Sequence, residues 1–117
     1  MTRADVLAFV QAEMAVFHPA RAAGDGAAAW RALERVHIVS QPYVLLHLAS
    51  HWAMLSFAVV TRNSGEIAGQ LFRLLLVPLG ALSGRLPIGN TGRANVSAFA
   101  PMPIPDELRA VVDQSQG

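Results

Sequence analysis

The sequence contains no cysteine and no lysine, and each absence narrows the functions open to the chain. Without cysteine there is no disulfide, no thiolate nucleophile, no iron–sulfur cluster and no zinc site built on sulfur. All nine basic residues are arginines, and they are spread along the chain rather than clustered. The formal net charge of +1 at pH 7 offers no electrostatic footprint for a polyanion. We therefore expect no binding to nucleic acid.

Charged residues are also scarce (15%), while hydrophobic residues are abundant (53%). The hydrophobic residues nevertheless form no long run that is free of polar side chains. The stretch from Pro42 to Thr61 carries no formal charge and is about as long as a bilayer span. Polar side chains, which are costly in the middle of a bilayer, interrupt it at His47, Ser50, His51 and Ser56. The sequence therefore disfavours membrane association. The apolar excess instead indicates a large core or contact with a second copy or a protein partner.

The N-terminal segment does not have the pattern of a secretory signal. It is amphipathic and carries Asp5 and Glu13, whereas a signal peptide has a basic region followed by an apolar run and a cleavage site. We expect this segment to belong to the folded protein, and we expect the protein to be cytoplasmic, which the lack of cysteine also fits.

Hydrophobic periodicity predicts a first helical hairpin. Apolar residues at three- and four-residue steps indicate a helix from Ala4 to Ala23, in which Pro19 should cause a kink or an early end. The turn Gly24-Asp25-Gly26 follows. A second helix is expected from about Ala27 to Val39.

A second hairpin is predicted after a break at Gln41-Pro42. Pro42 suits the first turn of a third helix, which should end near Arg62. Ser64 is the expected N-cap of a fourth helix from Glu66 to about Leu76. Pro78 and the glycines beyond it interrupt the helical pattern.

The chain changes character after Arg85. Proline, glycine and asparagine are frequent over residues 86–105, which indicates tight turns and extended backbone. Asp106 can cap a short helix over residues 106–112. We therefore predict a single all-α domain over residues 1–117. It comprises a helical core (1–85) of two antiparallel hairpins with tetratricopeptide-like packing, an irregular Pro/Gly/Asn-rich strap (86–105) and the short helix.

Three of the four histidines lie close together in the sequence, beside a glutamate at helical spacing. Glu34 and His37 are three residues apart and His47 and His51 are four apart, so each pair shares one face of a helix. The intervening break predicts a hairpin that brings the two faces together. Imidazole and carboxylate suit Zn²⁺, and imidazole also suits copper, nickel and iron ions. We predict a metal site of His37, His47 and His51, with Glu34 as fourth ligand or as the group that orients an imidazole.

The alternative is that the histidines are structural and that the protein is a non-metal helical interaction module or a homodimer. A pairing of Glu34 with an arginine would compete directly with metal ligation. Leu48 follows His47 where zinc proteases have a glutamate, so that reaction class is excluded. No Ser–His–acid set or pair of carboxylates identifies a catalytic centre, and the sequence leaves enzyme activity open.

Three segments together resemble a known family: Leu33 to Gln41, His47 to Leu55, and Pro87 to Pro105. The most specific parts are Ile88-Gly89-Asn90-Thr91-Gly92 and Pro101-Met102-Pro103-Ile104-Pro105. On these residues the chain resembles a bacterial family of small proteins catalogued as domain of unknown function 3703. The resemblance implies a small bacterial protein and carries no particular activity with it.

Overall fold

The computed structural model describes residues 2–83, 91–94 and 101–109. The fold is all-α, as predicted, and no strand occurs among the described residues. The helices in chain order are α1 (Arg3–Ala22), α2 (Gly26–Ser40), α3 (Val44–Val60) and α4 (Ser64–Ser83).

The first hairpin lies within one residue of its predicted bounds, and side-chain caps define its helix starts. Thr2 and Asp5 form a capping box, in which the Thr2 hydroxyl accepts from the Asp5 amide and the Asp5 carboxylate accepts from the Thr2 amide. Asp25 caps α2 by accepting from the Ala28 amide at 3.1 Å. Pro19 does not end α1 early: it removes only the hydrogen bond that its own nitrogen would donate, and its carbonyl accepts from the Ala23 amide at 2.9 Å.

The second hairpin differs from the prediction at the starts of both helices. Pro42 lies in the turn rather than in the first turn of α3, whose N-cap is Tyr43. The cap of α4 is Asn63 rather than Ser64: the Asn63 side-chain oxygen accepts from the Glu66 amide at 3.2 Å. Asparagine and serine serve equally well as caps, so the sequence alone did not separate two adjacent candidates.

The fourth helix is also longer than predicted. It continues past Leu76 and through Pro78 to Ser83. A proline inside a helix removes one backbone hydrogen bond and crowds the preceding turn, but it does not always stop the helix. Val77, beside the proline, is buried.

The helices pack as two hairpins, α1 with α2 and α3 with α4, and α2 joins them by packing against α3. One apolar cluster lies across the two hairpins and contains Phe17, Ala29, Ala32, Leu33, Met54 and Phe57. A second cluster contains Val6, Ile38, Val39 and Leu108. Leu108 comes from the C-terminal segment, which therefore contributes to the core.

The described parts of the predicted strap, residues 91–94 and 101–105, contain neither helix nor strand. The short C-terminal helix begins at Asp106, as predicted, and is described as far as Arg109. The predicted boundary at residues 85–86, the rest of the strap and residues 110–112 lie outside the described residues. Among the described helices, none combines the length and the hydropathy that crossing a membrane requires.

Candidate metal centre

The tight turn between α2 and α3 brings the three histidines together. The Tyr43 amide donates to the Ser40 carbonyl at 2.9 Å, which reverses the chain within a few residues. His37 lies in the last turn of α2, His47 in the first turn of α3, and His51 one turn further on. All three are buried, with 2–3% of their surface exposed. The hairpin predicted from the break at Gln41-Pro42 is confirmed.

The imidazole Nε2 atoms of the three histidines converge. His37 Nε2 lies 3.0 Å from His47 Nε2 and 3.1 Å from His51 Nε2. The three ring centroids are 4.6–5.0 Å apart. One ligand atom from each histidine lies within 4.8 Å of the others, and the described residues add no other histidine or acidic side chain to this group. The structure thus brings together three of the four predicted ligands.

Gln70 of α4 fixes which nitrogen of His51 carries the hydrogen. The Gln70 amide nitrogen donates to the Glu66 carboxylate at 3.0 Å and to the Gly92 carbonyl at 2.8 Å. Its oxygen must therefore be the atom that accepts from His51 Nδ1, at 2.7 Å. A neutral His51 then has its hydrogen on Nδ1 and a bare lone pair on Nε2, facing the other two histidines.

The contacts around His37 cannot both be ordinary hydrogen bonds. An imidazole nitrogen offers either one hydrogen or one lone pair. His37 Nε2 has two nitrogen neighbours at hydrogen-bond distance, and one of them, on His51, presents a lone pair. The cluster must therefore divide one hydrogen between two acceptors, or place two lone pairs or two hydrogens against each other. A cation at the point of convergence would accept all three lone pairs.

Burial keeps two of the histidines neutral. Loss of solvation and, to a smaller extent, the neighbouring His51 together lower the pKa of His47 to about 3. Loss of solvation also lowers the pKa of His51 to about 4, although the hydrogen bond that His51 donates to Gln70 opposes this shift. Neutral imidazole is the form that ligates metal ions, so near neutral pH no proton has to leave these two rings before a metal binds.

Glu34, the predicted fourth ligand, lies outside the histidine group. Its carboxylate is 3.5 Å from Arg93 Nη1. Burial raises the pKa of Glu34, while the charge of Arg93 opposes that rise. Arg93 also donates to the carboxylate of Glu66 and lies over the Trp30 ring at 3.8 Å from its centroid. The arginine pairing that competes with ligation is therefore present, and it comes from a residue 59 positions away in the sequence.

Residues 91–94, here called the covering segment, lie against the histidine cluster. Gly92 has a φ of +83°, and a Cβ at this position would come within 2.8 Å of the His37 ring. Only glycine fits here, because it both tolerates the left-handed backbone and leaves room for the imidazole. The backbone of the covering segment is thus in direct contact with one of the three rings.

Side chains of α4 hold the covering segment in place. Glu66 accepts from the Ala94 amide at 3.1 Å and from the Arg93 side chain, and Glu66 is only 4% exposed. Arg73 donates to the Arg93 carbonyl at 2.8 Å. Gly69 leaves no space for a side chain against Ala94. Together with Gln70, these groups connect the covering segment to the histidines through hydrogen bonds.

Sequence reasoning missed this polar face of α4. Glu66, Gln70 and Arg73 recur at helical spacing in an otherwise apolar helix, and that pattern was the available signal. The side-chain amide of Gln70 ties the described part of the strap to the helices by donating to the Gly92 carbonyl.

The fold and site define a class: a small protein of two helical hairpins with three buried histidines at the seam between α2 and α3 and a C-terminal segment packed over them. The chain belongs to the family described as "Protein of unknown function (DUF3703)", which it matches over residues 4–112. This confirms the resemblance inferred from the three sequence segments. No curated protein and no solved structure matches the chain.

Proposed function

We propose that this protein binds one transition-metal ion through the Nε2 atoms of His37, His47 and His51. The observation that carries the proposal is the contact of His37 Nε2 with two other imidazole nitrogens at 3.0 and 3.1 Å. The role would be metal handling or sensing in the cytoplasm. Glu34 is not proposed as a ligand, because its carboxylate faces Arg93.

Two of the three nitrogen separations are close to what a metal ion requires. Bonds of about 2.0–2.1 Å at tetrahedral angles place ligand nitrogens about 3.3 Å apart. The two separations from His37 Nε2 would need to widen by about 0.3 Å, and the ligand atoms of His47 and His51, which lie within 4.8 Å of each other, would need to approach by up to about 1.5 Å. Imidazole ligands suit Zn²⁺ and the ions of copper, nickel and iron. In the metal-bound protein, Gln70 would accept a hydrogen bond from His51 Nδ1, the nitrogen that does not bind the metal. This bond would hold the imidazole ring in its orientation.

Metal analysis of purified protein tests this proposal. The untagged protein, after size-exclusion chromatography, is analysed for metal content before and after incubation with Zn²⁺. The same measurement is made on His47→Gln, which removes one proposed ligand. His18→Gln is the control, because His18 is the fourth histidine and lies exposed outside the cluster. We expect about one ion per chain in the wild type and in His18→Gln, and little in His47→Gln. A folded wild-type protein that contains no metal ion as purified and takes up no zinc would contradict the proposal.

We also propose a second function, in which the protein self-associates through the exposed sides of α3 and α4. α3 contains no Asp, Glu, Lys or Arg and its two histidines are buried, and the charged residues of α4, Glu66 and Arg73, are also buried. Large apolar side chains are exposed instead: Leu45 by 67%, Trp52 by 64% and Leu75 by 75%, with Val59, Val60, Leu71 and Leu79 also exposed.

A second copy of the chain is the partner that fits this surface best. An uncharged surface can meet its own copy about a two-fold axis without repulsion between like charges. At on the order of 100 Å² per side chain, the exposed apolar area approaches the roughly 800 Å² that each partner of a standard interface buries.

Light scattering over a concentration series tests self-association. We expect a mass twice the 12.5 kDa of one chain for the wild type and a single-chain mass for Trp52→Glu. Val16→Glu, at a position 53% exposed on α1, is the matched control and should remain a dimer. A wild-type protein of single-chain mass at all concentrations would exclude the homodimer.

A further inference from the structure

We infer that metal binding and docking of the covering segment are coupled, so that the metal ion holds residues 91–94 on the helices and the segment retains the ion. This inference rests on the proposed metal site and concerns its regulation. Its physical basis is that Gln70 contacts both His51 and the segment, and that Glu66 connects Gln70 to two further residues of the segment.

The histidines are enclosed on the side of the covering segment. Each is 2–3% exposed, and the Gly92 backbone lies in contact with the His37 ring. An ion that reaches the three Nε2 atoms past this segment must displace it first. The rates at which the ion enters and leaves should then depend on the contacts that hold the segment, although none of these contacts is made by a metal ligand.

Gln70 is the shared element between site and segment. Its oxygen accepts from His51 Nδ1 and its nitrogen donates to the Gly92 carbonyl. A metal ion on His51 Nε2 fixes the ring, strengthens the Nδ1–H donor and therefore holds the Gln70 amide in the orientation that binds Gly92. By linkage, a docked segment that holds Gln70 raises metal affinity by the same factor.

Glu66 supplies the second connection. Its carboxylate accepts from Gln70, from the Ala94 amide and from the Arg93 side chain, so it joins the helix side of the site to two residues of the segment. Arg93 is held further by Glu34 and by the face of Trp30. Removing the charge of Glu66 should free the segment while leaving all three imidazoles in place.

Zinc release measured by stopped flow, with an excess of a chromophoric chelator, tests the coupling. Full-length wild type, Glu66→Gln and Glu107→Gln are each loaded with Zn²⁺. Glu107 is the matched control. It is a carboxylate of the C-terminal segment that pairs with Arg35 of α2, and not with Gln70 or the covering segment. We expect release from Glu66→Gln to be about tenfold faster, within the usual range of coupling between sites, and release from Glu107→Gln to match the wild type. Equal rates for all three proteins would overturn the coupling while leaving the metal site intact.

Hydrogen exchange in the wild type gives a second test that needs no variant. Zinc should slow exchange of the Ala94 amide, which donates to Glu66, by about tenfold. The Leu108 amide, which donates to the Pro105 carbonyl, should slow less. Equal slowing of both amides would show that zinc acts only on overall stability and would overturn the inference. A wild type that binds no zinc in either experiment would overturn the metal site and the coupling together.

Discussion

The seam between α2 and α3 has two chemically different ends. At one end, Leu33 and Met54 are fully buried in an apolar cluster. One helical turn away, His37 and His51 are as deeply buried, but with nitrogen atoms facing one another. The same two helices thus provide a packed core and, beside it, a polar cluster that gains nothing from the hydrophobic effect. The comparison indicates that the first end stabilises the fold by apolar burial, whereas the second buries polar groups at a cost.

The largest expected effect is stabilisation of the histidine end by metal. Zn²⁺ at 1,000 times its dissociation constant should raise the free energy of unfolding by about 4 kcal/mol, because it binds the folded state selectively. His47→Leu should abolish this gain, which urea denaturation with and without Zn²⁺ measures. An equal gain in the variant would show that zinc binds elsewhere.

At the apolar end, Leu33→Ala should lower the free energy of unfolding by about 3 kcal/mol through lost burial and a residual cavity. The control is Val16→Ala at an exposed position, expected to change stability by less than about 0.5 kcal/mol. Denaturant titration of both variants measures the difference. A loss below about 1 kcal/mol for Leu33→Ala would mean that this cluster is not the main source of stability.

The two ends should also differ in their response to pH. In the metal-free protein the pKa values of His47 and His51 are lowered to about 3 and about 4, from 6.5. Between these values and pH 6.5 the unfolded chain binds more protons than the folded protein, so stability falls as the pH falls from 6.5. With both histidines contributing, the slope is at most about 2.7 kcal/mol per pH unit.

Denaturation between pH 6.5 and 5 checks this slope, since carboxylates contribute little in that range. His47→Leu should show a clearly shallower dependence, because one of the two depressed histidines is gone. His18→Gln should follow the wild-type curve. A stability that is flat over this range would contradict the neutral state of the buried rings.

The smallest expected effect is the one that distinguishes most directly between the apolar end and the histidine end of the seam. Without metal, His47→Leu should raise the free energy of unfolding by about 1 kcal/mol. His47 Nδ1 is buried without a hydrogen-bond partner among the described residues, and removal of His47 leaves His37 and His51 as a simple donor–acceptor pair. A urea titration of metal-free wild type and variant measures the change. A loss of more than about 2 kcal/mol would indicate instead that the cluster is structural.

Much of this arrangement follows from local sequence pattern. The stripe of apolar residues and the turn Gly24-Asp25-Gly26 predict the first hairpin, since these signals lie within a few residues of one another. The break at Gln41-Pro42 and the four-residue spacing of His47 and His51 predict that the histidines meet. Errors arose where two local signals competed, as at Asn63 and Ser64.

What the sequence alone determined is the helices, the hairpin turn and the three converging imidazoles, because helical periodicity and a short connection fix which side chains face each other. What only the tertiary structure decided is the surroundings of those imidazoles. Arg93 pairs with Glu34, Gln70 orients His51, and Gly92 lies on His37. These contacts join residues separated by 19 to 59 positions, and no local periodicity encodes them. They arise only when the C-terminal segment packs back onto the folded hairpins.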